Sequence, residues 1–238
     1  MIVATDDAPL LVKLRGAAQG TAALVAEVVV ATLAERLALP VPSRRVVTLS
    51  PDVPSDDRND ELADLLAASV GENLGFEYLE GTRQIDRSDV DGMDVDFASR
   101  VCWLDWLVQN SDRTLSNPNV LVRRGRYWLI DHGAALPFHH NWAAVTEEAP
   151  RREWPVGAHV LAARATRLAE WDPLLTETIT REAVAAATAS IPDSFLRPLL
   201  PPDAAANHLT RRRAAYEAFL WKRLRAPRPW ARLLLESN

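Results

Sequence analysis

The stretch that decides the fold covers residues 110–133 and reads NSDRTLSNPNVLVRRGRYWLIDHG. A polar loop occupies 110–119, and Val120–Arg123 and Tyr127–Ile130 then predict the two strands of a β-hairpin. Asp131 follows the second strand directly. Helical patterns lie on both sides of this stretch, and helices alone would not indicate any particular fold. The polar loop and hairpin between them predict a two-lobed, kinase-like arrangement.

The residue types in this stretch match what phosphoryl transfer requires. That reaction depends on positioning and charge neutralisation more than on covalent help from the protein. One carboxylate must accept a hydroxyl proton, while oxygen ligands hold Mg²⁺, a hard cation. Asp112, Asn117 five residues later, and Asp131 after the hairpin supply these groups. The hairpin folds back on itself, so we expect Asp112 and Asp131 to lie close together.

A lysine upstream completes the set. The chain contains 27 basic residues, and only Lys13 and Lys222 are lysines. Lys13 lies in the apolar strand Leu10–Leu14, ahead of a glycine-containing loop at 16–20 and a helix. A compact ammonium on a flexible stem suits contact with a phosphate better than a guanidinium fork does. Lys13 therefore indicates a nucleotide site, although a lysine at a strand edge can also simply extend into solvent.

The remaining pattern predicts an α+β protein with a two-lobed protein-kinase-like fold. A small strand-and-helix N-lobe covers residues 1–76, and a larger, mostly helical C-lobe covers 77–238. The N-lobe elements are strands at 2–5, 10–14 and 45–49 with a turn at 6–9, helices at 21–37 and 61–70, and a surface loop at 50–60. A connector at 73–81 joins the two lobes. The C-lobe elements are the hairpin and helices at 97–108, 156–171, 174–189 and 211–225.

Composition narrows the possible partners. The formal net charge of −5 argues against nucleic acid as the main partner. The single cysteine, Cys102, excludes a disulfide framework and is expected to fill the core. The first residues lack a signal-peptide pattern, and no apolar run reaches the roughly 18 residues that cross a bilayer. We therefore expect a cytoplasmic protein without membrane contact.

The sequence resembles the HipA-like kinases and, more distantly, the phosphoinositide kinases. The run from Asp112 through the hairpin to Asp131 is similar to their catalytic and metal-binding segments. The stretch VKLRG at 12–16, followed by Gln19-Gly20, resembles their nucleotide-lysine strand. Further similarity lies in the helix that carries Glu27 and ends in LPVP at 39–42, and in NLGFEYL at 73–79. The resemblance covers about residues 8–142.

This resemblance implies ATP and Mg²⁺ as cofactors and assigns roles to single residues. Asp112 would be the catalytic base and Asp131 the main Mg²⁺ ligand. Asn117 would be the second ligand, with Asn119 as a competing candidate. Lys13 would bind the α- and β-phosphates, and Glu27 would orient Lys13. The 12 residues before Lys13 contain no glycine, so either the natural start lies upstream or the phosphates are held without a glycine-rich turn.

Three functions fit these observations. The first is a HipA-like protein Ser/Thr kinase that uses ATP and Mg²⁺. A catalytically weak or inactive nucleotide-binding or interaction protein on a kinase scaffold is the second, and a small-molecule phosphotransferase is the third. The phosphate acceptor is accordingly a protein or a small molecule. Two local alternatives also stay open: Asp105 orients Arg113 or faces water, and His139-His140 packs internally or faces solvent.

Overall fold

The computed structural model describes residues 2–3, 9–17, 19–53, 60–154, 158–205, 207–228 and 230. Most of the predicted turn at 6–9 and the middle of the predicted loop at 50–60 lie outside these residues. The described part is an α+β protein with two antiparallel sheets. Its strands are β1 (Ile2–Val3), β2 (Leu10–Lys13), β3 (Arg44–Leu49), β4 (Gly71–Glu77), β5 (Arg83–Gln84), β6 (Val120–Arg123) and β7 (Arg126–Leu129).

Eight α-helices are present in the described residues, together with five short 3-10 turns. The helices are α1 (Gly20–Arg36), α2 (Asp60–Ala68), α3 (Arg87–Gly92), α4 (Val95–Val108), α5 (Leu168–Thr178), α6 (Arg181–Ala189), α7 (Asp193–Leu196) and α8 (Asn207–Leu224). The 3-10 turns are Pro137–His140, Trp142–Ala144, Ala149–Arg151, Ala162–Arg164 and Arg197–Leu199. None of the helices in the described part is long and apolar enough to cross a membrane.

The first sheet has the strand order β1-β2-β4-β3. In β2 the side chains alternate: Leu10 and Val12 join a small core that includes Leu66 of α2. Leu11 and Lys13 therefore point to the opposite face. On that second face Lys13 pairs with Leu74 of β4, which belongs to the main core. The sheet thus presents Lys13 toward the rest of the molecule.

The central strand β4 corrects a sequence-based prediction. Residues 73–81 were expected to form a connector, yet Gly71–Glu77 is a strand paired on both sides. A Cβ atom at Gly75 would lie 2.7 Å from Val47 Cγ2, so glycine is needed for close packing. The Asn73 side chain is buried. Its burial is tolerated because its amide accepts from the Arg15 N–H and donates to the Ser69 and Gly71 carbonyls.

The second sheet contains the predicted hairpin and has the order β5-β6-β7. Arg124 and Gly125 form its two-residue turn with φ values of 51° and 73°. Positive φ at both central positions is the geometry that matches the twist of hairpin strands. Ile130 N–H donates to the Asn119 carbonyl at 3.0 Å, which closes the hairpin base next to Asp131. The hairpin prediction is confirmed.

One large core joins the first helix to the C-terminal half. Helix α1 is buried over most of its length and packs on α4, α6 and α7. The predicted helix at 156–171 is wrong over residues 158–167, which contain the 3-10 turn Ala162–Arg164; α5 begins only at Leu168. Residues 156 and 157 of the predicted helix lie outside the described part. Val160 N–H donates to the Arg113 carbonyl, so this segment is bonded to the polar loop at 110–119 and does not form an α-helix.

The expected helix at 174–189 is also wrong in one respect, because it is two helices. Helix α5 ends at Thr178 and α6 begins at Arg181. Thr180 separates them, and its hydroxyl accepts from the Ala183 N–H at 3.2 Å. A threonine in this position caps the N-terminus of the second helix and fixes where it starts.

Candidate active site

Lys13 contacts two carboxylates that come from distant parts of the chain. Its Nζ donates to Glu27 Oε1 in a short contact and to Asp131 Oδ1 at 2.5 Å. Glu27 lies inside α1 and is fully buried, whereas the Asp131 side chain is 49% exposed. The structure therefore brings together three residues that the sequence assigned to one site.

The charges of this group stabilise one another. Burial alone would lower the pKa of the Lys13 ammonium, but the Glu27 and Asp131 carboxylates outweigh burial and raise that pKa. Partial burial alone would raise the pKa of Asp131, yet the nearby Lys13 holds it below its ordinary value. Burial raises the pKa of Glu27 against the opposing pull of Lys13. Lys13 is thus a firmly charged ammonium, and Asp131 a firmly charged carboxylate.

Asp131 has a backbone conformation that few residue types tolerate. Its φ is 53°, and Asn119 at the other end of the hairpin base has a φ of 48°. Asp and Asn enter this left-handed region more readily than other non-glycine residues do. The two residues therefore suit the hairpin base by backbone preference as well as by chemistry.

Asp112 is half-buried and binds both asparagines. Its Oδ2 accepts from Asn117 Nδ2 at 2.8 Å and from Asn119 Nδ2 at 3.3 Å. Each asparagine donates a side-chain N–H to Asp112, so its amide oxygen points away from Asp112 and can accept from, or bind, another partner. Asn119 is only 2% exposed, while Asn117 is half-buried. Asn117 is therefore the more accessible of the two residues.

A buried network fixes the loop that carries Asp112. Arg113 is buried, and its Nε donates to Asp105 Oδ2 at 2.6 Å while Nη1 donates to the Asn119 carbonyl. Asp105 also accepts from Asn110 Nδ2 at 3.0 Å. Burial alone would raise the pKa of Asp105, but Arg113 outweighs it and holds the pKa well below its usual range. Asp105 therefore orients Arg113 and does not face water.

His159 completes this network and was not singled out from the sequence. Its Nδ1 accepts from the Leu161 N–H at 3.1 Å, so Nε2 carries the proton and donates to Asp105 at 2.8 Å. Cys102 Sγ lies 3.3 Å from the same Nδ1. Burial raises the pKa of the Cys102 thiol well above its ordinary value, so this Cys-His-Asp arrangement does not supply a nucleophile. Nothing in the sequence near His159 marks its role.

His132 links the two halves of the site. Its backbone N–H donates to Glu27 Oε1 at 2.8 Å, and its Nδ1 lies 3.4 Å from Arg113 Nη2. Burial, with help from Arg113, lowers the pKa of His132 to about 3, so the ring is neutral. Of the neighbouring histidines, His139 is buried against Tyr216 and His140 is exposed.

Two adjoining cavities meet at Lys13 and Asp131. The first, of about 370 Å³, is largely apolar and runs between the face of β2 and β4 and the β6–β7 hairpin; its lining includes Leu11, Phe76, Leu121 and Leu129. A second, of about 460 Å³, is lined by Asp112 and by Ala17, Gln19 and Gly20 at the start of α1. Lys13, Leu11 and Asp131 line both cavities. Asp112 and Asp131 thus face one space.

The donor set fits a magnesium ion that is held largely by its substrate. Asp131 offers a half-exposed carboxylate, and Asn117 offers an amide oxygen, both of which are hard ligands. The described residues contain no group of three or more His, Cys, Asp or Glu side chains that could hold a metal alone. Mg²⁺ in phosphoryl-transfer sites is usually bound by one or two protein ligands, with phosphates and water supplying the rest.

Comparison with known proteins agrees with this geometry. No curated protein matches the chain. A family model described as HipA-like kinase matches residues 2–193, which is most of the chain and includes Lys13, Glu27, Asp112, both asparagines and Asp131. The chain therefore belongs to the HipA-like kinase family, a family of kinase-type phosphotransferases.

Proposed function

We propose that the protein is an ATP- and Mg²⁺-dependent protein Ser/Thr kinase. The observation that carries this proposal is the contact of one ammonium, Lys13, with a buried glutamate of α1 and with Asp131, beside a cavity that also contains Asp112. The two-lobed kinase fold, with a boundary near residue 76, and a cytoplasmic location belong to the same proposal.

Asp112 would act on the acceptor. Its carboxylate accepts the proton of the attacking hydroxyl as the oxygen forms its bond to the γ-phosphorus and the bond to the β-phosphate oxygen breaks, which releases ADP. Asn117 and Asn119 hold the carboxylate through Oδ2. Such positioning supports general-base action, because the base must be within hydrogen-bond reach of the hydroxyl.

Lys13 and the start of α1 would hold the phosphates. The loop residues Ala17, Gln19 and Gly20 line the same cavity as Lys13. Among the described residues no side chain caps the N-terminus of α1, and the first turn of α1 contains no acidic residue. Free N–H groups at a helix start favour phosphate. This loop would therefore supply the phosphate contacts that a glycine-rich turn provides in other kinases. The apolar cavity would take the adenine base of ATP.

Asp131 and Asn117 would be the metal ligands. Bound Mg²⁺ would neutralise charge on the transferring phosphates. We favour Asn117 over Asn119 because Asn119 is buried and its backbone carbonyl already accepts from Arg113 and Ile130. Glu27 would keep Lys13 in place from inside α1.

The test is phosphate transfer from radiolabelled ATP with Mg²⁺ to the protein itself and to proteins of a cell lysate, followed by phosphoamino-acid analysis. Asp112→Asn should lower turnover by roughly 10²- to 10⁴-fold and leave ATP binding near normal. Asp131→Ala should remove Mg²⁺-dependent nucleotide binding. Asp203→Asn changes an exposed aspartate outside both cavities and is the matched control. Absence of labelled Ser or Thr would refute the proposal, and labelling of metabolites alone would indicate a small-molecule phosphotransferase.

A further inference from the structure

The tip of the β6–β7 hairpin concentrates positive charge. Arg123, Arg124 and Arg126, called the tip arginines below, surround Gly125, and all four residues are exposed. The whole chain, in contrast, has a formal net charge of −5. The tip is therefore a local reversal of the charge of the protein.

This arrangement of arginines works against the hairpin. Arg123 and Arg126 are directly opposite each other across β6 and β7, and like charges at that spacing destabilise a strand pair. Arg124 has a φ of 51° in the turn, where Asn, Asp or Gly is favoured. A local sequence that disfavours its own structure is expected mainly at functional positions.

Trp128 holds two of the tip arginines against one ring. The guanidinium carbons of Arg123 and Arg126 lie 5.8 Å and 5.7 Å from the Trp128 ring centroid. A cation–π contact fixes the position of a guanidinium but does not neutralise its charge. Both groups therefore remain able to bind an anion.

The acidic residues nearby do not pair directly with the tip arginines. Asp89 forms a two-pronged pair with Arg83 at 2.5 and 3.0 Å, and Asp86 lies 3.5 Å from the same arginine. Glu80 contributes its backbone carbonyl to Arg123 at 2.6 Å. Across the described residues, no carboxylate forms an ion pair with any tip arginine.

A concave space adjoins the tip and reaches toward the active site. A cavity of about 630 Å³ is lined by Arg83, Arg123 and Arg124, and also by the acidic residues Glu80 and Asp89, of which Asp89 is paired with Arg83. Arg83 also lines the apolar cavity that contains Lys13. The charged tip therefore lies next to the candidate nucleotide site, with Arg83 between the two cavities.

We propose that the tip arginines form a docking site for an acidic peptide segment of the protein that accepts the phosphate. Guanidinium forks match carboxylates in shape and charge. An otherwise acidic molecule repels a long polyanion beyond the tip, so a short acidic segment fits better than a nucleic acid. This inference rests on the proposed function, because it assigns the tip to acceptor recognition.

The experiment measures binding without ATP. Fluorescence anisotropy follows a labelled oligo-glutamate peptide, an oligo-glutamine peptide of equal length, and an oligo-dT strand. The test variant is Arg124→Glu/Arg126→Glu, which spares Arg123 and its bond to Glu80. The matched control is Arg36→Glu/Arg211→Glu, with the same change of charge at two exposed arginines outside the cavity at the tip. Thermal unfolding checks that both variants are folded.

We expect wild type and the control variant to bind oligo-glutamate in preference to oligo-glutamine. The test variant should bind it at least about 10-fold more weakly, since two contacts worth about threefold each are lost. Equal binding by the test variant would overturn the proposal, as would an equal loss in the control variant. Preference of wild type for oligo-dT over oligo-glutamate would overturn the acidic-peptide partner.

The outcome is separable from that of the proposed function. A protein that binds oligo-glutamate at the tip but transfers no phosphate refutes the kinase proposal and leaves the anion site in place. A protein that phosphorylates Ser or Thr yet ignores oligo-glutamate refutes the docking site alone.

Discussion

Removing the ammonium of Lys13 should destabilise the protein by an amount that depends on pH. The fully buried Glu27 carboxylate accepts from Lys13 and from the His132 N–H. In Lys13→Met only the backbone donor is left. Breaking a buried ion pair by removing one partner costs about 3–5 kcal/mol. Because Lys13 is itself 25% exposed, we expect the lower end, about 3 kcal/mol near pH 7.

Protonation of Glu27 sets an upper limit on this loss. Near pH 7, about 2.5 units above the ordinary pKa of 4.5, protonating the carboxyl costs about 3.4 kcal/mol. Near pH 5.5 the same step costs about 1.4 kcal/mol. In the variant the Glu27 pKa is higher in the folded state than in the unfolded chain. At pH values between these two pKa values, Glu27 is therefore protonated in the folded state and ionised in the unfolded chain. Stability of the variant therefore falls as pH rises through that window.

Urea unfolding of the variants at several pH values checks this prediction. Lys13→Met/Glu27→Gln has no buried charge to protonate and should recover most of the loss. Lys222→Met is the control, because the only other lysine pairs with Glu147 at the surface, and its urea midpoint should not change. A Lys13→Met protein as stable as wild type near pH 7, or one whose deficit grows as pH falls, would refute the reasoning.

Three further outcomes follow from buried polar side chains. His159→Ala should lower the free energy of unfolding in urea by about 1–3 kcal/mol, because Asp105 loses a donor, and it should lower turnover more than ATP binding; unchanged values would contradict this. Cys102 should resist alkylation in the native protein and react only after unfolding; rapid native labelling would be inconsistent with a buried thiol. Arg223→Met should cost about 3 kcal/mol, since buried Arg223 donates to carbonyls that include Trp106 and Leu107 of α4; a near-normal urea midpoint would argue against it.

Elements whose signal is local could be predicted from the sequence. The hairpin follows from alternation around Gly125, and α4 follows from apolar periodicity with a clear end before the polar loop. The grouping of Lys13 with Asp131 could be predicted from the residue types that phosphoryl transfer requires and from the resemblance to the HipA-like kinases. The chemical roles of these residues stay predictions.

Features that depend on neighbours could not be predicted. Strand β4 contains Gly71, Asn73 and Gly75, which indicate a loop when taken alone. Only the close approach of Val47 to Gly75, and the buried bonds of Asn73, explain why they form the central strand. His159 is similar, because it meets Asp105 across 54 positions of chain and no spacing rule covers that distance.

The double engagement of Lys13 has a thermodynamic consequence. Asp131 Oδ1 is occupied by the ammonium, so a cation that binds Asp131 competes with Lys13 for that oxygen. If a bound anion moves Lys13 off this oxygen, the affinity of Asp131 for the cation rises. By reciprocity, the bound cation raises the affinity for the anion by the same factor. A metal ion and an anionic ligand would therefore bind cooperatively here, because the Lys13 side chain leaves Asp131 for the anion when the metal ion binds.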